Sequence, residues 1–86
     1  MVKAYLSIAT REATPVQLTI LIEKLRKMEG VVLADSVSGE FNAIAVVNAP
    51  DVDALNRMVT DLKDNNPIIE RIVTSISETQ TPAVGG

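Results

Sequence analysis

Side chains that commonly carry out catalysis are scarce in this 86-residue chain, which contains no histidine and no cysteine. Disulfides, thiolate chemistry and zinc sites are therefore excluded, and the commonest general base is absent. Tyr5 is the only tyrosine, and acids such as Asp35 have no evident second carboxylate or metal ligand beside them. The residue types thus favour a binding protein over an enzyme.

The stretch at residues 38–42, SGEFN, contains the only phenylalanine of the chain, two positions after Gly39 in a predicted turn. Turns lie at the surface, where a large apolar ring gains little from burial unless something covers it. A structural explanation is that Gly39 is needed for a positive φ and that Phe41 packs beneath its own hairpin. The alternative is that another subunit covers the ring.

Composition is typical of one small soluble domain, with 47% hydrophobic and 22% charged residues and a formal net charge of −3. The basic residues are scattered except for Lys24, Arg26 and Lys27, which suit the end of a predicted helix. A nucleic-acid-binding surface needs a basic face, so direct DNA binding is not expected. No segment resembles a signal peptide or a membrane span, which predicts a cytoplasmic protein.

Hydrophobic periodicity predicts six elements in the order strand, helix, strand, strand, helix, strand. Thr14, Pro15 and Gln17 have the spacing of a capping box at the start of the first helix, and Gly30 suits its end. Asp51 or Asp53 is expected to cap the second, whose predicted apolar stripe consists of Val52, Leu55, Met58, Val59 and Leu62. The predicted strands cover residues 2–9, 31–37, 43–49 and 68–77. The first predicted helix covers residues 15–28, and the second runs from its aspartate cap, Asp51 or Asp53, to about residue 65.

This order predicts an α+β fold of the ferredoxin-like βαββαβ type, an antiparallel four-stranded sheet with both helices on one face. The third strand is apolar on both sides, and in the fourth Ile68, Ile72 and Ile76 alternate with Ile69 and Val73. A solvated face should alternate to polar residues. We therefore expect sheet-to-sheet packing into a dimeric α/β barrel; the alternative is a wet sheet rich in Val and Ile by propensity alone.

Two stretches, KLRKMEGVVLADSVSGEFNAIAVVNAPDVDALNRMV and ERIVTSIS, carry a family resemblance. Their spacing of helix end, Gly-Val-Val strand, glycine-containing turn, acid-capped helix and hydroxyl-bearing last strand resembles the ligand-binding (RAM) domain of Lrp/AsnC transcriptional regulators. The resemblance covers about residues 2–78. It implies such a domain over residues 1–78. Residues 79–86 show no apolar periodicity, which predicts a flexible C-terminal tail.

In that family the turn typically reads Gly-Asp-Tyr-Asp, lies between dimers and helps to form a small amino-acid pocket. The resemblance therefore implies a ligand-binding set of Gly39, Glu40, Phe41, Asn42, Thr74 and Ser75. Asn42 replaces a common carboxylate, and this replacement should weaken ligand binding or change which ligand is bound. Thr74 and Ser75 could equally be ordinary strand residues. Arg71 could bind an anion, although a solvated or ion-paired side chain is the simpler interpretation.

The resemblance implies a stand-alone amino-acid-sensing effector domain, because Met1 leads directly into the first strand with no helix-turn-helix before it. Its expected partners are a small amino acid, further copies of itself in a homodimer or higher oligomer, and full-length Lrp/AsnC regulators. No cofactor, metal or catalytic residue is expected. The alternatives are a purely structural oligomer and a small dimeric ferredoxin-like enzyme, for which Tyr5 is the candidate residue.

Overall fold

A computed structural model describes residues 1–78; the predicted flexible tail at residues 79–86 lies outside the described residues, so the predicted domain boundary remains a prediction. The elements are β1 (Val2–Thr10), α1 (Pro15–Lys27), β2 (Val31–Ser36), β3 (Ala43–Ala49), α2 (Val52–Asn65) and β4 (Ile69–Ile76). The strands form one antiparallel sheet in the order β2-β3-β1-β4. This layout confirms the predicted ferredoxin-like fold.

The start of α1 is the predicted capping box. The Thr14 hydroxyl accepts a hydrogen bond from the Gln17 backbone N–H at 3.2 Å, and the Gln17 side chain accepts one from the Thr14 N–H at 2.8 Å. Just beyond its end, Gly30 has φ 90°, and a Cβ there would lie 2.6 Å from the Asn48 carbonyl oxygen. Glycine is thus required at residue 30 by both backbone conformation and space.

The start of α2 resolves which aspartate caps it. Asp51 accepts a hydrogen bond from the Ala54 N–H at 2.7 Å, whereas Asp53 lies inside the first turn. Leu55 and Leu62 are buried as predicted, but Val52, expected in the same apolar stripe, is 46% exposed. The first helical residue follows directly after the cap and faces solvent, so this part of the prediction is wrong.

One face of the sheet, here called the helix-covered face, forms the core with the helices. Its strand residues are small on β3 and larger on β1, which leaves room for leucines of both helices to reach the sheet. The buried strand residues of this face are Ala4, Leu6, Ile8, Ala34, Ala43, Ala45, Val47, Ala49 and Ile69, and the buried helix residues are Leu21, Ile22, Leu25, Leu55 and Leu62.

The pairing of β4 with β1 shifts by one residue near its start. Arg71 pairs with Ala9, whereas the next β1 residue, Thr10, pairs with Ile69. A one-residue shift moves a side chain to the opposite face of a sheet. Ile69 is therefore buried in the core on the same face as Ile72, and the prediction that these two isoleucines lie on opposite sides is wrong.

The opposite face, here called the helix-free face, carries apolar side chains from each strand. Leu33 pairs with Val46, Val46 with Tyr5, and Tyr5 with Ser75, while Ile44, Ser7 and Val73 form the neighbouring row. Leu33, Val73 and Tyr5 are 45%, 41% and 39% exposed. The face of the sheet that the helices leave uncovered is thereby identified, and its predicted packing against a second sheet remains a prediction. Neither helix of residues 1–78 has the length and hydropathy to cross a bilayer.

Candidate functional site

The turn between β2 and β3 contains the predicted ligand-binding residues 39–42. Gly39 has φ 132°, in the region that favours glycine, which confirms the predicted positive φ. A Cβ at Gly39 would meet no atom within 4 Å. Glycine is therefore required here for backbone conformation alone, and the surface beside it is open.

Asn42 fastens the base of this turn to the end of β1. Its side-chain oxygen accepts a hydrogen bond from the Thr10 N–H at 2.9 Å, and its side-chain nitrogen donates to the Thr10 hydroxyl at 2.9 Å. The Asn42 backbone N–H also donates to the Ile8 carbonyl at 3.0 Å. The amide that replaces the family's common carboxylate thus has a structural use within the chain.

Glu40 and Phe41 contact Arg71 of β4. The Arg71 Nη2 donates to Glu40 Oε1 at 2.9 Å, and the guanidinium carbon lies 5.0 Å from the centre of the Phe41 ring. The ion-paired interpretation of Arg71 is therefore confirmed. Phe41 is half-buried, and the guanidinium that lies over its ring comes from β4, outside its own hairpin. Glu40, Phe41 and Arg71 are called the turn cluster below.

The turn cluster is exposed, which limits its effect on stability. The side chains of Arg71 and Glu40 are 55% and 75% exposed. Exposed ion pairs contribute only about 0.2–1 kcal/mol, and a cation–π contact at such a site adds about 0.5–1 kcal/mol. These contacts orient the guanidinium more than they stabilise the fold.

The two predicted hydroxyl residues of β4 lie apart from the turn. Thr74 pairs with Leu6 on the helix-covered side, whereas Ser75 pairs with Tyr5 on the helix-free face. At about 3.3 Å per residue, Ser75 lies roughly 13 Å along β4 from Arg71. Within one chain the structure therefore brings Glu40 and Phe41 together but does not bring Thr74 or Ser75 to them.

Four grooves of the surface contain none of the predicted ligand-binding residues. Two of them, of about 210 and 310 Å³, lie between α1 and the C-terminal part of α2 and share Lys24, Asn65 and Asn66. The other two, of about 310 and 170 Å³, lie beside β2. None of these four grooves therefore includes the turn between β2 and β3.

Two features that often accompany catalytic centres are absent from the described residues 1–78. These residues contain no buried polar or charged side chain and no group of three or more metal-ligating residues. Tyr5, the residue proposed for the enzyme alternative, lies on the helix-free face with the Lys3 ammonium 5.4 Å from its ring centre. The structure thus shows Tyr5 in a cation–π contact, with its side chain 39% exposed.

Thr10 and the double contact of Arg71 were not predicted from the sequence. The predicted topology carries a weak signal for Thr10, because a β1–β3 pairing places the start of β3 beside the end of β1. The sequence offers Arg71 as a possible anion anchor, but its contacts with Glu40 and Phe41 depend on the β4 register. Neither the register nor its shift at Thr10 is visible in local periodicity.

Comparisons with known proteins agree with this fold. A family model described as the Lrp/AsnC ligand binding domain matches residues 3–81. The crystal structure of TTHA0845 from Thermus thermophilus is similar, with a TM-score of 0.80 and 26% identity over 95% of this chain and 99% of that one. The hypothetical protein PHS023 from Pyrococcus horikoshii has a TM-score of 0.76 and 28% identity, covering 93% of each chain.

A longer protein is similar in fold alone. The transcriptional regulator NMB0573 of Neisseria meningitidis, crystallised as a complex with L-Met, has a TM-score of 0.76 and 16% identity. The match covers 96% of this chain and 55% of the regulator, so this chain spans about half of that protein's length. A comparison with curated proteins finds no match.

Proposed function

The chain belongs to the Lrp/AsnC ligand-binding domain family, and we propose that it is an effector domain that binds a small amino acid between copies of itself. The family is one of regulatory ligand-binding domains, which favours a non-enzymatic role. The observation that carries the proposal is the position of the turn cluster, where an exposed charged pair lies beside a half-buried aromatic ring.

Assembly is the first part of this proposal. The helix-free face presents Leu33, Tyr5 and Val73 to solvent in a single chain, and an apolar sheet face of this kind is stable when a second sheet covers it. A closed dimer satisfies that need, because the same face is buried on both copies. A higher oligomer would form through further contacts at the turns.

The ligand is the second part. The matching family is described as ligand-binding, and one structural relative, the Neisseria regulator, was crystallised with L-Met. We extend that ligand class to this chain. Gly39, Glu40, Phe41 and Asn42 would form one wall of the site, and Ser75 could join it only from another copy, because it lies roughly 13 Å away in its own chain.

The third part concerns regulation. Chains about twice as long, such as the Neisseria regulator, contain the same fold. Co-assembly of this domain with full-length Lrp/AsnC regulators through the same surfaces is therefore part of the proposal, as is a cytoplasmic location. With a net charge of −3, the chain should bind duplex DNA no more tightly than nonspecifically at physiological salt.

Assembly is tested by light scattering at micromolar concentration, where the wild type should be at least a dimer. Val73→Lys places a charge on the helix-free face and should give monomers. Asn56→Lys, on the exposed surface of α2, is the matched control and should leave the mass unchanged. A wild-type monomer at micromolar concentration would contradict the assembly proposal.

Ligand binding is tested by thermal unfolding with each of the twenty proteinogenic amino acids. An amino acid at ten times its Kd stabilises the folded assembly by about 1.4 kcal/mol, which raises Tm by about 5 °C or more in a domain of this size. Gly39→Val should abolish the response by distorting the turn. If no amino acid changes Tm or oligomer size, the chain is a structural oligomer and the sensing proposal fails.

A further inference from the structure

We propose that Arg71 and Glu40 form a zwitterion clamp, in which Arg71 binds the carboxylate of the amino acid and Glu40 binds its ammonium group. This inference rests on the proposed function and deepens it by naming the groups that recognise the ligand. Arg71 was not among the residues expected to bind ligand, and its role is argued from the geometry of the turn cluster.

The guanidinium of Arg71 is held in place before any ligand arrives. Glu40 accepts from its Nη2 at 2.9 Å, and Phe41 supports its plane at 5.0 Å, so two contacts from one turn orient it. A guanidinium has five N–H donors in a rigid plane, and the Glu40 contact uses one nitrogen. Because the side chain is 55% exposed, its other donors are accessible to a carboxylate.

The charge arrangement matches an α-amino acid. Such a molecule carries its ammonium and carboxylate groups on a single carbon, and the clamp presents the two opposite charges next to each other. Ala9, the residue paired with Arg71 across the sheet, has a small side chain, so we expect room for a ligand beside the guanidinium on the helix-free face. A ligand side chain could then lie toward Phe41.

The Arg71–Glu40 ion pair is not needed to hold the turn in place. The turn is already tied to β1 by both polar atoms of the Asn42 amide and by its backbone. The Arg71–Glu40 pair is too exposed to add much to the fold. Arg26 provides a contrast, because its guanidinium donates to the Ala34 carbonyl as well as to Asp35 and so holds the edge of β2.

The experiment uses the full chain and isothermal titration with whichever proteinogenic amino acid gives the largest wild-type Tm shift. Arg71→Gln should raise the Kd by about tenfold, the loss of one charge-assisted contact. Arg71→Lys, which keeps the charge but not the planar fork, should recover part of the affinity. Arg57→Gln, an exposed arginine of α2, is the matched control and should leave the Kd unchanged.

A second arm works on the wild type alone and so does not depend on the folding of a variant. The carboxamide of the same amino acid should bind at least about tenfold more weakly, because its neutral amide cannot form a bidentate ion pair with Arg71. The N-acetylated amino acid should also bind more weakly, because it lacks the ammonium that Glu40 accepts. Glu40→Gln should reduce the difference between the amino acid and its N-acetyl derivative.

The outcomes separate this inference from the proposed function. If an amino acid binds the wild type but Arg71→Gln and the carboxamide both bind within twofold, the clamp is wrong and the sensing function stands. If none of the twenty amino acids binds the wild type, both proposals are wrong. Where Arg71→Gln fails to fold, the carboxamide result on the wild type decides.

Discussion

The two faces of this sheet differ from those of a sheet with one solvated side, in which the large apolar side chains lie on the buried face and polar side chains lie on the other. On β3 the helix-covered face presents Ala43, Ala45 and Ala49, whereas the helix-free face presents the larger Ile44 and Val46. Small residues let the helices approach, so the buried face needs little volume from the strand. Large apolar residues on the uncovered face serve no purpose within one chain, which is the physical reason to expect a second sheet there.

Neighbouring valines of β3 provide the strongest test of this difference. Val47 is fully buried on the helix-covered face, so Val47→Lys should unfold the chain by placing an uncompensated charge in the core, at a cost of about 4 kcal/mol or more. Val46→Lys lies on the helix-free face and should leave a folded monomer. Circular dichroism and light scattering on both variants measure the two effects.

The comparison would fail if the two lysine variants behaved alike. Two unfolded proteins would mean that the helix-free face is needed for the fold of a single chain. Two folded dimers would mean that this face has no role in assembly.

The two glycines with positive φ provide a smaller test, because an added Cβ would be crowded at Gly30 and would meet no atom at Gly39. Gly30→Ala brings a Cβ within 2.6 Å of the Asn48 carbonyl in addition to its backbone strain, and should cost about 1–3 kcal/mol. Gly39→Ala meets no atom within 4 Å, so strain alone should make it less costly than Gly30→Ala. Urea unfolding of both variants gives the difference, and equal losses would contradict the steric argument.

Asn42 provides a test of the turn's attachment to β1. Asn42→Ala removes both side-chain hydrogen bonds to Thr10 and should cost about 1–2 kcal/mol in urea unfolding. Asn42→Asp keeps an acceptor for the Thr10 N–H, should cost less, and should strengthen the response to ligands that carry an ammonium group. If Asn42→Ala leaves the stability unchanged and Asn42→Asp leaves the ligand response unchanged, the residue has neither role.

The smallest expected effect concerns the turn cluster without ligand. Arg71→Gln and Glu40→Gln should each change the free energy of unfolding by less than about 1 kcal/mol, because the pair is exposed. High salt should reduce even that difference. A loss well above about 1 kcal/mol would show that the pair is needed to hold the turn, which would remove the reason for assigning it to a ligand.

Much of the site could be located from the sequence, but its contacts could not. The glycine and the lone phenylalanine mark the turn, and the resemblance of the GEFN stretch to a family motif predicts that it forms a ligand wall. Asn42 is held by Thr10, which lies 32 positions away in the chain. Arg71 lies over Phe41, which is 30 positions away. Local patterns contain no information on such pairs.

What the sequence by itself determined is the set of elements and their order, because helix caps, apolar periodicity and turn residues act over only a few positions. The α1 capping box, the α+β layout and the range of β3 follow from such signals. The tertiary structure alone decided which face each strand residue occupies. The register of β4 against β1 pairs Arg71 with Ala9, and the one-residue shift beyond that pair puts Ile69 in the core. A register between distant strands is chosen by the packing of the whole sheet.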